Sequence, residues 1–362
     1  MMHTRNLLVV SALVLVGVAA LAAWWLDRRV DREPAVPLEH ALEGIDALAG
    51  QFPLPGAEAL DWPRDHGAKP GQFVESWLFA GLVRDETGRS YGFQLGFERV
   101  ALQKEAAVRE SAWGTRDLIR ARFALEPSGA RAHFEERVSR AALGLAGAAP
   151  APAHAWLEDW SFTLDEAGGT FLLGAGGPGA AFALRLVMPD VPPVSIDSEL
   201  YRGYWWPGAR VAGTLDVDGR PSAVDGQGMI ERLWGRALPA GRGQLGLARL
   251  WLDVGDGRMV RCEQLRRRAG GGTPLMECLG HPAPPGEEVE LGPKEQGWET
   301  VAGIRYPLRW TLRLPETVDP LKLAPLSRGH TLSLDGAWRG IIVGDGDMER
   351  WGLLELSNFA AP

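Results

Sequence analysis

The chain has 362 residues, 46% of them hydrophobic, with 46 glycines, 26 prolines and two cysteines; that length accommodates two domains, each with its own core. The formal net charge is −8, and no basic run exceeds Arg266-Arg267-Arg268. The basic face that nucleic-acid binding requires is therefore missing, and nucleic acid is excluded as an expected partner.

Leu7 to Leu26 is a run of twenty residues without a charge, enough to span a hydrocarbon core of roughly 30 Å as a helix. Ala20-Leu21-Ala22 resembles a signal-peptidase site, which makes a cleaved signal peptide the competing reading. Trp24 and Trp25 suit an interfacial belt, and an uncleaved anchor over residues 1–29 is the expectation. Residues 30–56 read as a linker with Pro34, Pro37, Pro53 and Pro55 in or beside it. Leu38, Ala41, Leu42, Ile45 and Leu48 fall on one helical face there, as a juxtamembrane helix or one packed on the first domain.

Beyond Asp61 the apolar period changes from 3.6 to 2. Trp77 to Val83, a turn over Asp85 to Gly88, and Ser90 to Val100 read as a hairpin. Alternation returns at Ala155–Leu164, Thr170–Leu173 and Phe182–Met188, with a short helix expected over Ser111–Arg120 and a loop over Ala146–Pro152. The second half repeats the grammar. Leu245–Leu252, a turn over Asp253–Gly257 and Arg258–Leu265 match the first hairpin, and Trp310-Thr311-Leu312-Arg313-Leu314 echoes Trp160-Ser161-Phe162-Thr163-Leu164. The expected fold is all-β, two tandem antiparallel domains over 57–200 and 201–362. The boundary falls between Pro193 and Gly213, and Asp197–Pro207 is expected to cross from one barrel to the other.

Cys262 and Cys278 lie eight residues either side of Gly270. A regular hairpin would set them opposite each other, and facing Cβ vectors would permit a disulfide; two buried free thiols are the alternative. The seven histidines are scattered, so no metal site is expected. No nucleophile elbow or phosphate-cradling glycine loop occurs, and no cofactor is expected. Of fifteen tryptophans all but Trp24 and Trp25 lie beyond the N-terminal segment, where they serve either as core filler or as a ligand platform.

Pro63-Arg64-Asp65-His66-Gly67, then Glu75, Trp77, Phe79 and Gly81, resemble the entry to the first barrel of the AttH family, which includes carotenoid 1,2-hydratase. Phe123-Ala124-Leu125, Glu136-Arg137, Gly144-Leu145-Ala146-Gly147, Trp156 to Ser161, Met229 to Gly235, Tyr306-Pro307 and Trp338-Arg339-Gly340 follow in the family's order, over about residues 57–362. The resemblance implies two lipocalin-like domains, export to the periplasm and an apolar ligand. Some relatives accompany export-type ABC transporters, which implies a permease as a partner. His66, Trp77, Tyr204, Trp206, Trp234 and Trp310 are the expected ligand-binding residues. Hydration of an isolated alkene needs a neutral carboxylic acid in an apolar pocket, and Glu231 and Glu75, with Asp65 nearby, are the candidates. The competing reading pairs such a carboxylate with Arg64 or Arg232. The chain departs from the family pattern at Lys69 and Arg122 (usually His), Leu233 and Arg339 (usually Glu), and Gln244-Leu245-Gly246-Leu247 (usually aromatic and acidic).

The expected role is therefore non-catalytic binding or escort of an apolar small molecule or lipid. The protein would be anchored in a bacterial inner membrane with its soluble part in the periplasm. A hydratase or hydrolase of a lipid or isoprenoid is the first alternative, and a structural component of an envelope complex is the second. The space inside each barrel, and what lines it, discriminates among them.

Overall fold

Trp77-Leu78-Phe79-Ala80-Gly81-Leu82-Val83 has no polar residue on either face, the signature of a strand covered on both sides. In the computed structural model, which describes residues 48–104, 114–167, 169–255, 257–268, 274–281, 289–294, 297–315, 319–329, 332–345 and 347–359, that strand is the hinge of the architecture. Trp77, Phe79 and Val83 enter one core, while Leu78, Ala80 and Leu82 enter another.

The described residues form an all-β fold. The first sheet contains β1 (Val74–Asp85), β2 (Ser90–Ala101), β3 (Asp117–Pro127), β4 (His133–Arg140), β5 (Ala146–Ala149), β6 (His154–Leu157), β7 (Trp160–Asp165), β8 (Thr170–Gly177), β9 (Ala180–Val187), β10 (Val194–Asp197), β11 (Tyr201–Val217) and β12 (Arg220–Gly235). Its order is β4-β3-β2-β1-β12-β11-β9-β8-β7-β6-β5, with β10 on β11. The β3–β4 end approaches β5 and β6, so the sheet is a nearly closed barrel. The second sheet draws on β13 (Leu245–Gly255), β14 (Arg258–Arg267), β15 (Leu275–His281), β16 (Glu290–Pro293), β19 (Trp310–Arg313), β20 (Leu321–Pro325), β21 (Trp338–Gly344) and β22 (Asp347–Ser357). It curls as a half-barrel in the order β15-β14-β13-β22-β21-β20-β19-β16, beside a hairpin of β17 (Trp298–Val301) and β18 (Ile304–Pro307).

Three local expectations meet a different structure. Asp117–Arg120, expected at the end of a helix, opens β3, because Ile119, Ala121, Phe123 and Leu125 alternate into the barrel core. Ala146–Ala149, expected in a loop, pairs with β6. Tyr201–Pro207, expected to cross between barrels, is the first half of β11 and stays within the first sheet. A bulge between Pro207 and Ala209, with Gly208 at φ 80°, bends β11, so that its first half pairs β10 and its second half pairs β9. Asp218 and Gly219, at φ 53° and 75°, close the β11–β12 hairpin in the mirror-image turn that suits strand twist. The chain passes to the second sheet between Gly235 and Leu245.

The barrel interior is filled by rings. Phe162 lies 5.0 Å from Phe79 and 5.6 Å from Trp77, and Phe123 lies 5.2 Å from Phe182 and 5.7 Å from Trp160. Between the sheets, Trp205, Met229 and Leu233 meet Trp251, Ile341, Trp351 and Leu353. Each such side chain contributes about 1.5–3 kcal/mol by leaving water, which joins the two sheets into one body. Cys262 and Cys278 are register partners on β14 and β15, with Cα atoms 4.1 Å apart, and are disulfide-bonded. The Gly270 turn, the Leu7–Leu26 stretch and the helical face from Leu38 to Ile45 lie outside the described residues. Among the described residues no helix is long and apolar enough to cross a membrane.

Candidate functional site

Pro63 to Gly67 form a short helical turn that lays His66 across the mouth of the first barrel. Gly67 is required there, because a Cβ would stand 1.8 Å from the Pro150 carbonyl oxygen. The turn is tied down by Trp77 Nε1 donating to the His66 carbonyl at 2.8 Å and Lys69 Nζ reaching Asp65 at 2.5 Å. His66 Nδ1 is 2.5 Å from the Tyr204 hydroxyl, and its ring stacks on Trp206 at 5.8 Å. Burial, then the Arg232 charge, lowers the His66 pKa to about 4, so the imidazole is neutral. Burial raises that of Tyr204, so the phenol is assigned as donor to Nδ1.

Behind His66, Arg232 lies over Trp77 at 3.9 Å and Trp234 at 5.2 Å. It bonds Glu75, which also accepts from Arg99 Nε at 2.5 Å and the Lys69 backbone N–H at 2.7 Å. Burial alone would raise the Glu75 pKa, but Arg232 and Arg99 outweigh it and hold the carboxyl ionised. Thus Glu75, His66, Trp77, Tyr204, Trp206 and Trp234 gather at one barrel end. Trp310 does not join them; it lies in the second core, with its indole donating to the Pro307 carbonyl.

Glu231 lies elsewhere too. On β12 the side chains alternate, so Arg232 and Trp234 enter the barrel while Glu231 faces the second sheet. It accepts from Arg261 Nε at 2.6 Å, Arg249 Nη1 at 2.8 Å and Trp251 Nε1 at 3.2 Å. Burial pushes its pKa up, and Arg261 and Arg249 together pull it below the usual range. Neither candidate acid is therefore the neutral proton donor that hydration of an isolated alkene needs. The departures from the family pattern have a matching structural account. Lys69 pairs with Asp65, Arg122 with Glu136 and Asp335, and Arg339 with Glu355, so each new cation meets a carboxylate. Leu233 fills the layer between the sheets.

Open space lies beside the Glu231 cluster. A cleft of about 500 Å³ is bounded by the β10–β11 turn, the segment Ala237–Arg242, and β13 to β15. Leu200, Leu238, Leu247, Leu265 and Met276 make most of it apolar. Ser198, Arg242 and Glu277 line it too, and on its wall the Tyr201 hydroxyl donates to Glu263 Oε2 at 2.9 Å. Arg261 Nη2 holds the other Glu263 oxygen at 2.5 Å. Burial and then the Glu263 charge raise the Tyr201 pKa, so the hydroxyl is a proton donor beside a carboxylate acceptor. Sequence reasoning did not single out Glu263, since Arg261-Cys262-Glu263-Gln264 matches no motif and Glu263 meets Tyr201 only through the fold.

Another buried acid, Glu126 of β3, was also missed. Gln94 at 2.6 Å, Ser327 at 3.1 Å and the Ile341 N–H at 3.1 Å bond it, and among the described residues no cation pairs with it. Burial raises its pKa to about 7. A raised folded-state pKa gives stability that is full below about pH 4.5 and is lost as pH rises through about 7. His66 has the opposite sign, losing stability as pH falls from 6.5 through about 4. The two therefore oppose each other in the native chain. Glu126→Gln should uncover the His66 slope, with stability rising as pH increases from about 4 to 6.5. Guanidinium unfolding across that range tests it; a difference between variant and native chain that does not change with pH would sink the assignment.

The sequence model of the AttH-like family matches residues 53–359. An AttH-type protein from Nitrosomonas europaea has a similar structure, with a TM-score of 0.68 at 20% identity, covering 85% of this chain and 99% of that one. Kievitone hydratase from Nectria haematococca gives 0.56 at 14% identity, covering 84% and 96%. CghA, solved with Sch210972, gives 0.50 at 16% identity, covering 87% and 97%. At these identities the likeness is one of fold. No curated protein sequence matches the chain at a significant level.

Proposed function

The chain belongs to the AttH-like family, and on that premise we propose that it takes an apolar small molecule into the cleft and adds water across a polarised double bond. The two sheets are then tandem lipocalin-like barrels, the first filled and the second contributing the open wall. The observation that carries the reading is the Tyr201–Glu263 pair on the wall of a largely apolar cleft. A similarly folded protein that is named a hydratase supports the reaction class.

The ionised carboxylates select the substrate. Protonating carbon first requires a neutral acid, and Glu75 and Glu231 are held as anions. Base-initiated addition has no such need. Water loses a proton through Tyr201 to Glu263 while its oxygen bonds the β-carbon of a conjugated carbonyl. The π electrons move to the carbonyl oxygen, and Glu263 returns the proton through Tyr201 to the α-carbon, so water is added without net loss of a proton. An isolated alkene, such as an acyclic carotene, should not react.

The test is to identify the apolar molecules retained by the purified protein by mass spectrometry of a solvent extract. Those with a conjugated carbonyl are then incubated with the protein in isotopically labelled water. Protein-dependent incorporation of labelled oxygen supports the hydratase reading. Retention of the molecule without incorporation leaves binding or escort as the function.

A further inference from the structure

We infer that the Cys262–Cys278 disulfide is a redox latch on one wall of the cleft, which a dithiol reductant would open. β15 is the terminal strand of the second sheet and pairs with β14 along one side. Its residues Leu275, Met276 and Glu277 line the cleft. None of its seven residues is buried, and Leu275 is 75% exposed, so apolar burial contributes little to holding it. Within the ladder Glu263 stands directly opposite Glu277, and like charges in register destabilise a strand pair. Arg261 and Tyr201 engage Glu263, which softens the repulsion from the β14 side. Glu277 forms no ion pair among the described residues, and Arg242 on the same cleft is itself engaged. The next pair in the ladder is Cys262 opposite Cys278, so the bridge ties β15 down beside the repelling carboxylates.

Access favours one sulfur. Cys262 is buried in the second core, whereas Cys278 is partly exposed on the edge strand. A thiolate of the reductant would bond the Cys278 sulfur, and the disulfide would break with its electron pair leaving on Cys262. The reductant's second thiol then displaces Cys278, and the reductant departs as a disulfide. Two electrons pass from the dithiol to the bridge, each reductant thiol gives up a proton and each cysteine gains one. With the bridge open, the Glu263–Glu277 repulsion favours separation of β15, and the cleft loses the wall that Leu275, Met276 and Glu277 supply. The inference rests on the proposed function for its purpose alone: a reducing environment would release the molecule held in the cleft.

The test is amide hydrogen exchange of the full chain, followed by mass spectrometry, with and without dithiothreitol. The chain has two cysteines, so the reductant acts on this bridge alone. Reduction should speed exchange over Leu275–His281 by about a hundredfold, the effect of freeing a closed loop of this length. β13 and β22, deeper in the same sheet, should exchange as before. Glu277→Lys replaces the repulsion with an attraction, so in the reduced protein it should slow exchange over β15 roughly fivefold. A bond that thiol titration finds intact in dithiothreitol, or a reduced protein with unchanged exchange over β15, overturns the inference. Equal acceleration in β13 and β22 overturns it too, because the bridge would then be a general staple. No slowing by Glu277→Lys would remove the carboxylate pair as the opening force and overturn it likewise. Exchange needs no ligand, so failure of the latch and failure of the hydratase reading remain distinct.

Discussion

Glu75→Ala is expected to destabilise the protein by about 3–5 kcal/mol, the usual loss when one member of a buried ion pair is removed. Glu75 is fully buried, and so is Arg232, its partner at the barrel end. Arg99 is 3% exposed and retains Asp117 at 2.6 Å, so the charge stranded by the substitution is chiefly that of Arg232. Arg232 would keep bonds to the Gly67 and Leu233 carbonyls, which satisfy N–H groups but not its charge. Glu75→Leu with Arg232→Met should therefore cost less than the sum of the single changes. Guanidinium unfolding followed by tryptophan fluorescence measures Glu75→Ala, the two single changes and the double. Additive losses would mean that the pair is not coupled, and the barrel end would need another explanation.

That pair also marks how far the sequence could be read. The strand Trp77–Val83, its hairpin with Ser90–Val100 and the Cys262–Cys278 juxtaposition were all legible, because alternation and turn residues are local signals. The gathering of His66, Trp77, Tyr204 and Trp234 was not legible, because Tyr204 was expected on a segment crossing between barrels and stays instead on β11 of the first sheet. The state of the acids was not legible. Whether Glu231 is a neutral acid or an anion depends on Arg249 and Arg261, which reach it from strands 18 and 30 residues further along the chain. Helix and loop expectations at Asp117–Arg120 and Ala146–Ala149 failed where strand pairing overrode local composition. The cleft was invisible because it is made of five separate chain segments.

Glu263→Gln should reduce the proposed water addition by about 10²–10⁴, the range for loss of a positioned general base, while leaving ligand retention close to native. The amide is the same size and can still accept from the Tyr201 hydroxyl or from Arg261, so the cleft keeps its shape. What it loses is the capacity to hold a proton during addition. Tyr201→Phe removes the relay but keeps the carboxylate, and should act on the same step. If the two residues work as one unit, the double variant should be little worse than Glu263→Gln alone, because a broken relay cannot be broken twice. Steady-state turnover and ligand affinity are measured for all three variants with the conjugated substrate. Effects that multiply would mean that Tyr201 and Glu263 act separately. A fall in affinity without a fall in turnover at saturation would make the pair a binding device and would place the base of the reaction elsewhere.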